Sequence, residues 1–213
     1  MKPLKTRGLS ICGIILAAGK GSRIGGKIKS LLKTGNKTFI EKIVYNMQRS
    51  RISCIVVVLG FRSGKVAEFL KKKKLAGRIK IVINKNYAAD QFTSLKLAIK
   101  AAPEGTKAVM FTPVDHPLTK LTTYRKLVSS WEKDKNKICV PSYHYRKGHP
   151  TIFPRRVFKE ALTKIITGGA RELLKKYSKS VKYVLVDDPN IIRDFDSPAD
   201  YAAVCGSGTA LRH

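Results

Sequence analysis

Acidic residues are scarce in this chain: among 213 residues, 14 Asp and Glu stand against 43 Lys and Arg, which gives a formal net charge of +29. Proline is also infrequent, with 9 residues, and the sequence has no internal repeat, low-complexity tract or long Gly/Ser linker. Together with a hydrophobic fraction of 43%, these features exclude a disordered chain. The length suits one domain with a sizeable core, which we expect at residues 1–205, before a flexible tail at 206–213.

Cysteine pairs with metal-binding or redox spacing are missing as well. The four cysteines lie far apart, with no C-x-x-C motif and no paired histidines near them: Cys12, Cys54, Cys139 and Cys205. The first three lie in apolar, strand-like runs, where a thiol behaves as a small hydrophobic side chain. This usage predicts a reduced, cytoplasmic protein.

Apolar runs long enough to span a bilayer are also lacking. The N-terminus does imitate a signal peptide, because a basic segment up to Arg7 precedes the apolar run 9–18. A lipoprotein cleavage site before Cys12 is disfavoured by the bulky Ile11. The pattern further along the chain favours a buried first strand that leads into a glycine loop, and no membrane partner is expected.

The positive charge favours partners such as phosphorylated metabolites, anionic lipids or nucleic acid. The lysines are nevertheless spread along the whole chain, and the densest run, Lys71–Lys74, closes a predicted helix, where cations interact favourably with the helix dipole. A general lysine bias accounts for the charge at least as well as a nucleic-acid site does. Nucleic acid is therefore expected to bind only through non-specific charge.

Short apolar runs alternate with amphipathic stretches along most of the chain. The predicted strands are Ser10–Leu16, Cys54–Leu59, Lys80–Ile83, Ala108–Phe111, Lys137–Pro141 and Lys182–Val186. The predicted helices are Thr38–Arg49, Gly64–Lys73, Thr93–Ala101, Leu121–Lys133, Arg155–Thr163, Ala170–Tyr177 and Pro198–Val204. This alternation predicts a doubly wound, mostly parallel α/β sheet of the Rossmann-like kind. Ligands of such sheets bind beyond the carboxyl ends of the strands.

A loop rich in glycine and lysine follows the first predicted strand. Its glycines allow the backbone to approach a polyphosphate, and its cations neutralise charge. A Walker loop is excluded because Gly13 is one position too far from Gly19-Lys20 and Gly21 replaces the hydroxyl residue. A dinucleotide site is disfavoured because the second strand ends only at Leu59. A triphosphate-binding loop and a purely structural turn remain, and the loop alone does not decide between them.

The loop resembles the signature L-A-[AG]-G-x-x-x-R-M-G-x-x-K-x-L-L of the MobA-like NTP transferases, the family of the molybdenum cofactor cytidylyltransferases. The resemblance implies two catalytic residues, Arg23 and Lys29, and a nucleotide-binding set made of Leu16, Ala17, Ala18, Gly19, Gly21 and Lys29. One extra residue precedes Lys29, so Lys27 is an alternative to it. Ala18 stands where guanylyl-transferring relatives usually have Gly, which favours the cytidylyl branch.

The resemblance continues over nearly the whole chain. Residues 84–95 are similar to N-x-x-[YW]-x-x-G-M-x-S-S-L, which implies a nucleotide-binding Ser94, and Thr93 and Ser94 are predicted to cap the helix that follows. Residues 148–153 are similar to G-H-P-x-x-[FL] of the cytidylyltransferase branch, where His149 is a candidate for acceptor binding. Residues 169–174 match G-A-R-x-L-L. We therefore expect one continuous enzyme domain.

Two acidic motifs complete the resemblance. Asp115 follows the fourth predicted strand in a segment similar to [AP]-x-D-x-P-L, whose aspartate holds magnesium, and Mg²⁺ favours carboxylate oxygen together with phosphate and water. Residues 194–201 are similar to D-[IV]-D-T-P-E-D-[LY], in which a carboxylate reaches the metal. Asp196 is the predicted second metal ligand, with Asp194 as the alternative. Asp200 is interpreted as a negative charge that interacts favourably with the N-terminal end of the last helix.

The resemblance implies a Mg²⁺-dependent nucleotidyltransferase that moves a nucleoside monophosphate, CMP from CTP in the preferred interpretation, to a phosphorylated acceptor such as molybdopterin. Pyrophosphate is released, and the partners are the nucleoside triphosphate and the small acceptor. An alternative is transfer to a sugar, polyol or choline phosphate. A more distant alternative is a basic nucleic-acid-binding domain without catalysis, which leaves Asp115 and Asp196 unexplained.

Overall fold

The computed structural model describes residues 11–21, 25–52, 54–75, 79–88, 90–163 and 169–205. Within these residues the strands are β1 (Ile11–Ala17), β2 (Lys33–Thr34), β3 (Lys37–Thr38), β4 (Cys54–Leu59), β5 (Lys80–Ile83), β6 (Ala108–Pro113), β7 (Ile138–Tyr143), β8 (Arg146–Lys147), β9 (Thr151–Pro154) and β10 (Val181–Leu185). The helices are α1 (Phe39–Arg49), α2 (Ser63–Lys72), α3 (Gln91–Ala101), α4 (Leu121–Lys133), α5 (Arg155–Thr163), α6 (Ala170–Lys176) and α7 (Pro198–Cys205). The predicted tail, 206–213, lies outside the described residues.

The main sheet has the strand order β10-β7-β9-β6-β1-β4-β5, with β8 attached to β7. The neighbouring pairs β1–β4, β1–β6, β4–β5 and β7–β10 are parallel, whereas β9 runs antiparallel to β6 and β7. The predicted doubly wound, mostly parallel sheet is confirmed. The carboxyl ends of the parallel strands meet at one edge, and this edge positions the candidate site.

Strand β1 is apolar along its whole length because both of its faces are covered. Its side chains alternate between two hydrophobic layers: Ile11 and Ile15 pack in one, and Ile14 and Leu16 in the other. Helices α1 and α4 cover the first face, and α3 and α5 cover the second. A strand buried on both faces has few polar side chains, which explains why the strands were recognisable as nearly continuous apolar runs.

Strand β9 is the main element that the sequence interpretation missed. It inserts between β6 and β7, and Phe153 of β9 stacks on Phe111 of β6 with ring centroids 5.4 Å apart. Pro150 and Pro154 bracket the apolar residues of β9, and proline usually marks a boundary rather than a central strand. The small β2–β3 hairpin was also missed, because two-residue strands carry no detectable periodicity.

Among the residues that the structure describes, no helix combines the length and the apolar character needed to cross a membrane.

Candidate active site

A pocket of about 280 Å³ opens at the carboxyl ends of β1 and β6. It is lined by residues from the end of β1, the glycine loop and three more distant segments: Leu16, Ala17, Gly19, Gly21, Ile28, Lys29, Ser30, Phe61, Pro113, Val114, Asp115 and Asp196. Most of the residues predicted to bind nucleotide or metal therefore lie around one cavity, at the sheet edge where a doubly wound fold binds its ligands.

Glycine is required at position 21 for the loop to close on itself. Gly21 has a φ of +60°, and an added Cβ would lie 2.6 Å from the carbonyl oxygen of Lys27. No L side chain fits at that distance, so the chain returns tightly beneath Gly21 and brings the segment 27–29 to the pocket. The predicted catalytic Arg23 lies outside the described residues, so its role stays a prediction.

Lys29 is the cation that the fold places between the two predicted metal-binding carboxylates. Its Nζ donates a hydrogen bond to Asp115 Oδ2 at 3.2 Å and another to Asp196 Oδ1. Burial lowers the pKa of Lys29, but the hydrogen bonds and charges of Asp196 and Asp115 outweigh this effect and raise the pKa above its usual range. The ammonium therefore stays protonated in the pocket, and the structure pairs the carboxylates with Lys29 rather than with Lys27.

Two loops carry the carboxylates, and hydrogen bonds fix both loops to the sheet. Asp115 follows β6, and the N–H of Val114 donates to the carbonyl oxygen of Leu16 at 3.0 Å. The N–H of Phe195 donates to the carbonyl oxygen of Asp115 at 3.1 Å, and the fully buried Phe195 ring anchors the second loop. Asp196 is consequently held at Lys29, while Asp194 is exposed.

The start of α7 holds the second loop in place. Asp200 accepts hydrogen bonds from the N–H of Ser197 at 2.8 Å and from the Ser197 hydroxyl at 2.7 Å, and the N–H of Asp200 donates to Ser197 Oγ at 3.2 Å. This reciprocal capping lowers the pKa of Asp200 through the Ser197 hydroxyl. Asp200 is thus a helix-capping residue, in agreement with its predicted position at the helix N-terminus.

The donor set fits a magnesium ion that is shared with substrate. Within the described residues, no group of three His, Cys, Asp or Glu side chains is close enough to hold a metal on its own. Asp115 and Asp196 supply carboxylate oxygens at one point of the pocket. Mg²⁺ is commonly bound by one or two carboxylates together with substrate phosphates and water, and two carboxylates are what this pocket offers.

Ser94 lies away from the pocket lining. Asp90 caps α3 by accepting a hydrogen bond from the N–H of Phe92 at 3.0 Å, so the prediction that Thr93 or Ser94 caps this helix is wrong. Ser94 sits inside α3, buried, and its Oγ accepts a hydrogen bond from Asn84 Nδ2 at 2.9 Å. Through this hydrogen bond Ser94 connects α3 to the residue that follows β5. Its nucleotide-binding role stays a prediction.

Ala18 is also predicted to bind nucleotide, and its side chain is buried in a hydrophobic layer. Its carbonyl oxygen accepts a hydrogen bond from the N–H of Phe61 at 3.0 Å, and this contact holds Phe61 at the pocket. Ala18 is therefore connected to the pocket only through Phe61 and does not line it, so its nucleotide-binding role stays a prediction.

His149 lies behind Asp115, in contact with a second histidine. Its ring centroid is 4.8 Å from that of His116 and 5.4 Å from that of Phe111. Burial, with a smaller effect of His116, lowers the pKa of His149 to about 3, so its imidazole is neutral at physiological pH. The Nδ1 atoms of both histidines are buried without a hydrogen-bond partner. His116 Nε2 is 4.0 Å from Asp115 Oδ1, which links this histidine pair to the carboxylates.

Gly148 controls how the His149 segment docks. An added Cβ at Gly148 would lie 2.0 Å from the carbonyl oxygen of Ile191, the same oxygen that accepts the N–H of His149 at 2.9 Å. We expect Gly148→Ala to destabilise the fold by about 1–3 kcal/mol, because the backbone must move apart. Thermal unfolding measures the loss. Gly64→Ala is the matched control, since nothing lies within 4 Å of its Cβ, and an equal loss in both variants would contradict this prediction.

Sequence reasoning missed two side chains with a clear place in the pocket. Ser30 is 1% exposed, and its buried hydroxyl has no hydrogen-bond partner although the residue lines the cavity. Phe61 also lines the cavity and contacts Tyr87 at 6.4 Å between ring centroids. The signal for Phe61 was available, because it lies two residues after the carboxyl end of β4. Ser30 gave no such signal, since its burial depends on the tertiary fold.

A Rossmann-like sheet that gathers a glycine loop, a lysine and two carboxylates at its carboxyl edge is typical of nucleotidyltransferases. The chain belongs to the family of the MobA-like NTP transferase domain, whose profile matches residues 13–181.

Two related proteins can be aligned with most of this chain. It is 26% identical to nicotine blue oxidoreductase from Paenarthrobacter nicotinovorans, over 88% of this chain and 92% of that protein. It is 28% identical to molybdenum cofactor guanylyltransferase from Haemophilus influenzae, over 78% of this chain and 82% of that protein. A solved nucleotidyl transferase from Methanothermobacter thermautotroptrophicus is similar with a TM-score of 0.78, at 21% identity, covering 94% of this chain and 98% of that one, which supports the fold.

Proposed function

We propose that this protein transfers CMP from CTP to a phosphorylated acceptor such as molybdopterin and releases pyrophosphate. The observation that carries the proposal is the contact of Lys29 with both Asp115 and Asp196 in a pocket that also contains the glycine loop. A cation between two carboxylates, beside backbone N–H groups, is suited to a triphosphate and its metal ion. A purely structural loop requires no such cluster.

In the proposed step, an ionised phosphate oxygen of the acceptor attacks the α-phosphorus of the triphosphate. A new P–O bond forms, the bond between the α-phosphorus and the bridging oxygen breaks, and pyrophosphate leaves with the electron pair. The nucleophile is already an anion, so no general base is needed. Catalysis then depends on alignment and on the neutralisation of charge. In this proposal Lys29 neutralises negative charge on the triphosphate, and the backbone amides near Gly19 and Gly21 bind the nucleotide. Arg23 is a further predicted cation at the triphosphate.

Asp115 and Asp196 would hold Mg²⁺, which supplies charge neutralisation at the phosphate oxygens. The Ser30 hydroxyl, buried and without a partner, supplies a donor for a phosphate oxygen in the same pocket. These residues are supplied by three separate segments of the chain. The site therefore depends on the complete sheet edge rather than on the loop alone.

The choice of CTP and of molybdopterin is supported by residues at two positions. Ala18 stands where guanylyl-transferring relatives usually have glycine, and Gly148-His149-Pro150 resembles an element of the cytidylyltransferase branch. His149 is the proposed acceptor-side residue, through its unpartnered Nδ1. The relative from Haemophilus influenzae is a guanylyltransferase by name, so GTP is the main competing nucleotide.

Thermal stabilisation by the four nucleoside triphosphates, each with Mg²⁺, tests the proposal. A ligand at 100 times its Kd stabilises a protein by about 2.7 kcal/mol, so a bound triphosphate produces a clear rise in melting temperature. We expect the largest rise with CTP, followed by pyrophosphate release when an acceptor is supplied. Candidate acceptors are molybdopterin and, as alternatives, sugar, polyol and choline phosphates.

Three outcomes are informative. A larger rise in melting temperature with GTP than with CTP would agree with a nucleotidyltransferase but overturn the choice of CTP. A flat response to all four triphosphates overturns the transferase itself. Redox turnover of nicotine blue without pyrophosphate release overturns it as well, and this assay is included because one relative is nicotine blue oxidoreductase by name.

Phe61 is expected to contribute to nucleotide binding through its ring, because it lines the pocket beside the loop. Stacking of a base on an aromatic side chain is worth about 1–3 kcal/mol, so Phe61→Leu, which keeps the apolar volume, should raise the KM for the triphosphate about tenfold. The kcat is expected to change little. Steady-state kinetics separate the two constants. An unchanged KM would place the base elsewhere in the pocket.

A further inference from the structure

A second groove, of about 420 Å³, lies away from the candidate active site. Its lining includes five cationic residues and one tryptophan: Lys107, Lys135, Arg155, Arg156, Lys159 and Trp131. Lys107 directly precedes β6, whereas Asp115 follows the other end of that strand. A strand rises about 3.3 Å per residue, so the six residues of β6 separate the two regions by roughly 20 Å.

The cationic side chains of the groove are not neutralised by its own lining, which contains no carboxylate. Arg155 Nη1 donates to the carbonyl oxygen of Thr106 at 2.9 Å, and Arg156 Nη2 donates to that of Asn136 at 3.0 Å. Both guanidinium groups are thus oriented by neutral acceptors. The adjacent carboxylate of Glu160 is engaged by Lys176 and by the hydroxyl of Tyr177. The positive charge of the groove therefore remains available to a ligand.

Two further features favour an anion at this place. Helix α5 begins at Arg155, which lines the groove, so the positive end of the helix dipole lies beside it, while the N–H of Arg155 itself donates to the carbonyl oxygen of Lys107 at 2.7 Å. Trp131 is 0% exposed, and its Nε1–H has no hydrogen-bond partner although the residue lines the groove. A buried N–H without an acceptor is costly, and Trp131 is the groove residue that carries such a group.

We propose that this groove binds a compact polyphosphate anion with two or more linked phosphate groups. Five cationic side chains in one place require several negative charges, and the volume of the groove is in the range of small-ligand sites. Nucleic acid is disfavoured, because Trp131 is fully buried and offers no face on which a base can stack. This site is independent of the proposed transfer reaction and does not share residues with it.

The chain contains a single tryptophan, so intrinsic fluorescence reports specifically on this groove. Titration of the intact protein with tripolyphosphate is expected to give a saturable change in Trp131 emission. The Lys29→Met variant is expected to give the same curve, because Lys29 lies in the other pocket. A curve that is lost in the Lys29 variant would overturn the proposal, since the anion would then bind in the candidate active site.

Variants with an equal change of net charge separate a specific site from diffuse attraction. The groove variant replaces three exposed lysines by glutamine, at Lys107, Lys135 and Lys159, and the control variant does so at Lys65, Lys71 and Lys100. We expect the groove variant to weaken binding of tripolyphosphate by at least about tenfold and the control to bind as the parent protein does. Circular dichroism checks that both variants fold, and all six positions are exposed.

Three results would overturn the site. One is the absence of a saturable signal with the parent protein. The second is an equal loss of binding in the groove and control variants, which would show diffuse attraction by the net charge. The third is saturable binding of a single-stranded oligonucleotide in the groove under conditions in which tripolyphosphate does not bind.

Discussion

Lys29→Met is expected to lower kcat for nucleotidyl transfer by about 10²–10³-fold while the protein remains folded. A positioned charge donor in a site with little water is typically worth this much, because it stabilises charge that develops in the transition state. In this protein the Lys29 ammonium contacts both Asp115 and Asp196, so no other described lysine can take its place without a change of the loop. Pyrophosphate release measured at saturating triphosphate gives kcat directly.

The matched control is Lys27→Met, two positions earlier in the same loop. Lys27 is exposed and its main-chain carbonyl, rather than its side chain, is what meets Gly21. We expect near-parent activity from this variant. If instead Lys27→Met removed activity and Lys29→Met kept it, the catalytic role would move to Lys27, which the extra residue in the loop left as an alternative.

Asp115→Asn is expected to reduce turnover by about 10³-fold or more. The amide has the same shape but lacks the negative charge, and metal-assisted charge stabilisation is worth several kcal/mol, with each 1.36 kcal/mol equal to a factor of ten in rate. Turnover of the variant is measured over a range of Mg²⁺ concentrations. A partial recovery at high Mg²⁺ would support a metal-binding role for the carboxylate.

Two further carboxylate variants complete this comparison. Asp196→Asn is expected to behave like Asp115→Asn, because both side chains contact Lys29. Asp194→Asn is the control, since Asp194 is exposed, and activity near that of the parent protein is expected. Parent-like turnover in Asp115→Asn would refute the metal assignment, whereas loss of activity only in Asp194→Asn would exchange the two candidates for the second ligand.

The fold could be predicted because its strongest determinants are local. The bounds of α4 and α5 agree with the predicted Leu121–Lys133 and Arg155–Thr163, since each helix carries a clear apolar stripe. The first strand, the glycine loop and the order of strands and helices also follow from patterns within short windows of sequence. Strand β9 was not recognised because Pro150 precedes it and Pro154 ends it, which favours a boundary, and because its pairing with β6 and β7 is a long-range property.

Most residues of the candidate site could be predicted from the sequence, but the contacts between them could not. The motif around Asp115 and the one around Asp196 were recognisable separately, yet only the folded chain shows that both carboxylates meet at Lys29. The sequence interpretation also misplaced the cap of α3, which is Asp90 rather than Thr93 or Ser94. The buried hydroxyl of Ser30 and the groove around Trp131 depend on tertiary packing, which a single sequence does not reveal.

The order of strands in the main sheet also determines how the chain can fold during its synthesis. Strand β1 precedes its sheet partners in the chain, and it lies near the centre of the sheet, where it pairs with β4 and β6. Both partners lie in the first 113 residues, so β5, β4, β1 and β6 can assemble on the ribosome before β7 to β10 emerge. The last loop, which carries Asp196, then closes onto a sheet edge that is already formed. The polypeptide therefore forms its glycine loop well before it receives Asp196.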